Sequence, residues 1–272
     1  MTNETPSPAT DVSRRSALAL LGLAGVGAAA GFGVVRLVSG DETSPSSSSA
    51  TGAGASTVEP SATVDAPAVN SSADPSDLAA TPSETSGPFP ADGSNGADVL
   101  HDSRALRTDI RTDLDGSNAQ EGTPLDLTLT VIDGATGQPL TGGAVYVWHC
   151  NKDGQYSAYP DGSYLRGAQP TDANGEARFT TVLPGRYQGR AFHIHFRVFA
   201  DTTFAAELLT SQMAMDDAEI DALYAEAGYD RALAADTDNA QDNVFADGVD
   251  HQLMIVGGDA SSSLSASFVA VI

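Results

Sequence analysis

Residues 183–199, LPGRYQGRAFHIHFRVF, are the stretch whose reading decides the fold. Pro184-Gly185-Arg186 opens it as a turn, and residues 192–199 then alternate as a strand does. Successive side chains of an extended strand face opposite ways, so Ile194, Phe196 and Val198 share one face, which suits a core. His193 and His195 share the other. Two imidazoles side by side suit a metal ion, and by themselves they fit zinc, copper or iron equally.

The same period recurs elsewhere. Leu125, Leu127, Leu129 and Val131 alternate with Asp126, Thr128 and Thr130, which predicts a half-buried strand. Residues 144–149, 177–182, 252–256 and 264–271 read as further strands. Asp133-Gly134, Asp153-Gly154, Asp161-Gly162 and Asn174-Gly175 mark turns between them. One helix is expected, capped at Asp216-Asp217, with Ile220, Leu223, Tyr224 and Ala227 on its inner face. The expected fold is mainly β: a β-sandwich of mixed or antiparallel strands, with long loops and one or two short helices.

Residues 1–38 read as a signal segment of the Tat type. Arg14-Arg15 precede an apolar, Gly- and Ala-rich run from Ala17 to Val35, and Ala28-Ala29-Ala30 offer a cleavage region. Export to the cell surface or beyond follows, with membrane contact only through this segment if it stays uncleaved. Residues 39–84 are rich in Ser, Thr, Ala and Pro and carry acidic but no basic residues, so they are expected to be a disordered linker. Residues 85–272 are left to form the folded domain. The net charge of -23, with Lys152 the single lysine, sets the chain against nucleic acid and anionic lipid as partners. Cys150 is the single cysteine, expected as a buried, inert thiol, so no intrachain disulfide forms.

Two tyrosines stand on turns near the histidines: Tyr187 after Pro184-Gly185-Arg186, and Tyr156 after Asp153-Gly154-Gln155. Each has packing in a core or at its rim as the alternative to ligation. Phenolate is a hard anionic donor, and an ion as highly charged as Fe(III) can ionise a phenol whose free pKa is about 10. His149 follows Val145 and Val147 on its strand face and is expected in a core, while His101 and His251 are expected at the surface. Asp172-Ala173-Asn174-Gly175 reads as a hairpin turn, and Arg166 as a structural ion-pair former.

The order of motifs from Thr85 onward resembles the intradiol ring-cleavage dioxygenases. The matching pieces are TSGPF at 85–89, RTDIR at 107–111, GAVYVWHC at 143–150, DGQYS at 153–157, LRG at 165–167 with Thr171-Asp172, and FTT at 179–181. PGRY at 184–187, Gly189-Arg190, HIH at 193–195 and LTSQ at 209–212 complete it. That resemblance implies a non-haem Fe(III) ion held by Tyr156, Tyr187, His193 and His195, with Tyr187 and His193 axial. It implies a catechol-type aromatic diol and O2 as substrates, opened between the two hydroxyls to a cis,cis-muconate-type diacid. Arg190 would be the active-site arginine, with pairing to an acid as its alternative, and Gln212 would support it from behind the ligands. The chain departs from the larger catechol-cleaving members in lacking a helical N-terminal dimerisation segment, which leaves the oligomeric state open, a homodimer included. Two other readings stand beside this one: a non-catalytic β-sandwich binding module on the cell surface, and a zinc hydrolase using the same histidines.

Overall fold

The computed structural model describes residues 78–159, 161–229 and 237–272. The signal segment, and the linker as far as residue 77, lie outside the described residues. Two sheets form the domain. The first is built on β1 (Pro124–Asp133), which pairs antiparallel with β2 (Gln138–Pro139) and β5 (Glu176–Val182) along one edge. Along its other edge β1 runs parallel to β9 (Ser263–Val271), which carries β8 (Ile255–Asp259) outside it. The second sheet is antiparallel, ordered β4 (Arg166–Pro170), β3 (Ala144–Trp148), β6 (Ile194–Phe199), β7 (Glu207–Met213). The mainly-β sandwich expected from the alternation is therefore the observed fold, and its mixed character comes from the β1–β9 pair.

The core lies between the sheets. Leu125, Leu127, Leu129 and Val131 of β1, with Phe179 of β5 and Phe268 of β9, face Val145 and Val147 of β3 and Ile194, Phe196 and Val198 of β6. Phe196 and Phe268 meet edge to face across the gap, centroids 5.5 Å apart. Burying each such side chain stabilises the fold by about 1.5–3 kcal/mol, which is why the period-2 pattern dictates which way β6 turns. Once Ile194 and Phe196 are committed to the core, His195 must emerge on the opposite side of the sheet. That outer face is covered too, by Leu100, Tyr146, Trp148, Cys150 and Tyr156, with Phe89 and Tyr187 packed against them.

The single α-helix among the described residues, α1 (Asp217–Ala227), begins as expected. Asp216 caps it, accepting from the amides of Ala218 and Glu219, and Gly228 ends it in the left-handed conformation. Three expectations need correction. The linker does not run to residue 84: Thr81 is buried, its amide donates to Val271 O at 3.0 Å, and the amide of Glu84 donates to Thr210 O at 2.8 Å. Strand β8 begins at Ile255 rather than at 252, because residues 252–254 bond to the backbone of Ala214 instead of to β9. Arg166 is no ion-pair former. It is fully buried and donates to neutral oxygens, those of Ser157 (both hydroxyl and carbonyl), Phe89 O and the Tyr146 hydroxyl.

Candidate metal centre

Strand register builds one side of the site. His195 pairs across β6–β3 with Trp148 and across β6–β7 with Gln212. His193, just ahead of β6, emerges on the same face, and the two imidazole rings stand perpendicular with centroids 4.9 Å apart. Two loops supply the other side. Asn151 accepts from the amides of Asp153 and Gln155 and folds the chain back after β3, presenting Tyr156. The loop after β5 presents Tyr187. The two loops touch at Gly154, whose φ is +76° and where a Cβ would stand 3.0 Å from that of Tyr187. A side chain there would force the tyrosines apart.

The four rings surround a common space. Tyr156 Oη lies 3.1 Å and Tyr187 Oη 3.2 Å from His193 Nε2, and Arg190 Nη1 lies 3.3 Å from the same nitrogen. His193 Nδ1 faces the carbonyl of Ala191 at 2.8 Å. A carbonyl only accepts, so Nδ1 carries the proton and Nε2 offers a lone pair. Three donors thus converge on one acceptor, which serves one of them well. A cation in that space would turn the conflict into agreement, because both phenol oxygens and the imidazole nitrogen would become its ligands. Gly87, at φ +65°, bounds the space on the His195 side. A Cβ there would lie 3.3 Å from Cε1 and 3.6 Å from Nε2 of that ring, so glycine keeps the nitrogen's edge clear.

Electrostatics agree with a cation-binding role. Burial, reinforced by the Arg190 charge, pushes His193 down to about 3. Burial and the neighbouring His193 hold His195 well below its ordinary value. Tyr156 is held well above 10 by burial, with Cys150 and Tyr187 adding to the effect, and Tyr187 is raised by burial against the pull of Arg190. At neutral pH the imidazoles are free bases and the phenols are protonated, and it takes a strong positive charge to ionise the phenols. Phenolate oxygens with imidazole nitrogens, and no thiolate, are a donor set suited to ferric iron.

The guanidinium of Arg190 is fixed by three partners. Its Nε donates to both oxygens of Asp242, at 2.8 and 3.0 Å, and its Nη2 donates to Gln212 Oε1 at 2.5 Å, leaving Nη1 toward His193. Gln212 in turn donates through Nε2 to Thr85 O at 2.8 Å. Pairing with an acid and facing the centre, alternatives in the sequence, hold at once. All six residues singled out from the sequence therefore come together: Tyr156, Tyr187, His193, His195, Arg190 and Gln212. His149 stays apart as expected, with Nδ1 against Cys150 O and Nε2 against the Thr181 hydroxyl, both at 2.8 Å. Cys150 is buried and its thiol is pushed up to about 12. His101 and His251 are exposed. Among the described residues no three of His, Cys, Asp and Glu gather as a metal-binding group, so a hydrolytic zinc set has no third ligand of those types here. Asp242 was not foreseen. It is one of 27 acidic residues from Phe89 onward, 52 residues beyond Arg190, and nothing in its surroundings marks it.

Comparison with known proteins gives this arrangement its class. Residues 97–257 match a family model described as Dioxygenase. The chain is 33% identical over 89 residues to a chlorocatechol 1,2-dioxygenase of Rhodococcus opacus, covering 24% of this chain and 35% of that one. It is 30% identical over 173 residues to a protocatechuate 3,4-dioxygenase beta chain of Burkholderia cepacia, covering 55% of this chain and 73% of the other. The match thus spans about a third of the length of the chlorocatechol enzymes, 35% and 36%. An intradiol ring-cleavage dioxygenase from Tetranychus urticae has the same fold, with a TM-score of 0.60 at 24% identity over 72% of this chain and 95% of that one. The chain belongs to the intradiol ring-cleavage dioxygenase family.

Proposed function

We propose that this protein is a non-haem Fe(III) dioxygenase that opens catechol-type aromatics between their two hydroxyls with O2, yielding muconate-type diacids. One observation carries the reading: Tyr156 Oη and Tyr187 Oη converge on His193 Nε2 at 3.1 and 3.2 Å, with His195 beside them. These four residues would hold the iron. Ferric iron bound there would supply the charge that ionises the phenols and a chelated catechol, leaving the aromatic ring electron-rich enough to meet O2. The relatives' names, chlorocatechol and protocatechuate dioxygenases, support an aromatic diol as the substrate class.

The residues divide the remaining work. Tyr156 is buried beneath Phe89, whose ring stacks on it at 5.0 Å, and serves as a fixed ligand. Tyr187 is the less buried phenol, and its Oη is the site that takes up a catechol proton. Arg190 brings a permanent positive charge to the edge of the site, where it offsets the negative charge of a bound catecholate. Asp242 and Gln212 hold that charge in place, so no reorganisation is needed as the substrate's charge develops. Phe89 and the buried face of the second sheet exclude water.

Purified protein loaded with iron should be red-brown from phenolate-to-iron charge transfer, and catechol should shift the band. Tyr187→Phe should bleach or displace the band and lower turnover. A colourless protein that retains zinc or no metal would sink the reading. We also propose that residues 1–38 direct export by the Tat route, with the residues up to about 77 forming a tether. A folded reporter fused behind residues 1–40 should be exported, and replacing Arg14-Arg15 with Lys-Lys should block it. Unimpaired passage of the Lys-Lys fusion would contradict the assignment.

A further inference from the structure

His193 and His195 leave the same face of one strand, yet they are held by different means. The Nδ1–H of His193 donates to Ala191 O at 2.8 Å. The ring of His195 is equally buried, 2% exposed against 3%, but its Nδ1 meets no acceptor. A metal-bound imidazole is ordinarily oriented by an acceptor on its second nitrogen, which also strengthens the ligating nitrogen as a donor. His195 has a ring in place of that acceptor. Trp148, its cross-strand neighbour in the β3–β6 register, lies against it with centroids 4.8 Å apart and planes within 3° of parallel.

The indole is itself free of hydrogen bonds. Its Nε1 is buried without a partner, so packing alone sets its plane. Tyr146 stacks on it at 5.2 Å, and the Arg197 guanidinium lies over the ring at 5.7 Å. Arg197 is tied in turn to Asp92 at 2.6 Å, with both side chains largely buried. A salt bridge, a cation over a ring and a ring on a ring thus end at the imidazole.

We propose that Trp148 is the positioning residue for His195, its stacking taking the place of the missing hydrogen bond. This rests on the proposed iron site for the identity of the metal. The two histidines are then unequal: His193 is the hydrogen-bonded, stronger donor, and His195 depends on the indole for its orientation. A second consequence follows from composition. Trp148 is the only tryptophan in the chain, so the whole indole emission of the protein comes from a ring stacked on a ligand.

The test loads metal-free protein with Fe(III) while following tryptophan emission and the phenolate band together. Iron retention against a chelator is then compared among wild type, Trp148→Phe and Trp148→Leu. Emission should be quenched in step with the growth of the band. Trp148→Phe, which keeps a ring against His195, should hold iron nearly as tightly as wild type. Trp148→Leu should hold it on the order of 10- to 100-fold less tightly, with a displaced band and unchanged far-ultraviolet circular dichroism. Wild type that gains the band without losing emission would overturn the proposal, as would Trp148→Leu with wild-type retention and spectrum. If Trp148→Leu fails to fold, the wild-type emission decides alone. A wild type that never develops the band brings down the iron reading, and this assignment with it.

Discussion

Arg190 shows how much one side chain can be asked to do. Its three nitrogens reach Asp242, Gln212 and His193 separately, a geometry that needs the planar fork of guanidinium. A lysine at that position reaches one of the three. Arg190→Lys should therefore lower turnover of catechol on the order of 10²-fold while leaving the iron colour in place, because the charge is displaced and the ligands are not. Steady-state kinetics beside the absorption spectrum checks this, and wild-type turnover would show that the fork is dispensable. Arg190 was singled out in the sequence through the resemblance to the intradiol family, where an arginine stands three residues before the first histidine. Asp242 was not, since its link to the site is made only by tertiary folding.

At the scale of elements, legibility followed how each segment earns its place. Strands β1 and β9 bury alternate side chains, and alternation is visible in a sequence, while β3 and β6, buried on both faces, show as short runs rich in Val, Ile and aromatic residues. The cap of α1 was equally plain. Strands β4 and β7 were not foreseen as strands: β4 is RGAQP, with Gly and Pro at an edge, and β7 is ELLTSQM, without alternation. The most instructive misreading is the last stretch assigned to the linker, Thr81 to Glu84. Its Ser-, Thr- and Pro-rich composition suggests a linker, but it is held by its backbone. Val271, Thr210 and Ser211 all bond to its main-chain groups. Composition reports what side chains can bury, and says little about a segment fastened by its peptide groups.

For the molecule as a whole, His149 predicts a pH dependence. Burial lowers it to about 4 in the folded protein, against an ordinary 6.5. Between those values the unfolded chain binds the extra proton and the native state does not, so stability is present above about 6.5 and declines as the pH falls. A drop from pH 7 to 5 should remove about 2 kcal/mol through this residue. Thermal unfolding of the metal-free protein at the two pH values measures it, and His149→Gln should reduce the difference. An identical pH response in that variant would mean that His149 is not the source.

The placement of β1 sets when the domain can form. Its residues pair on one edge with β5, some 50 positions later, and on the other with β9, more than 130 positions later. During synthesis, the central strand of the first sheet is left half-paired until residues 263–271 have emerged from the ribosome. Segments of the first sheet made earlier cannot lock in place and wait, since contacts so distant in sequence are the slow ones to close. Folding is thereby tied to the synthesis of β9, and an apolar strand edge must stay unattached to neighbouring nascent chains until then.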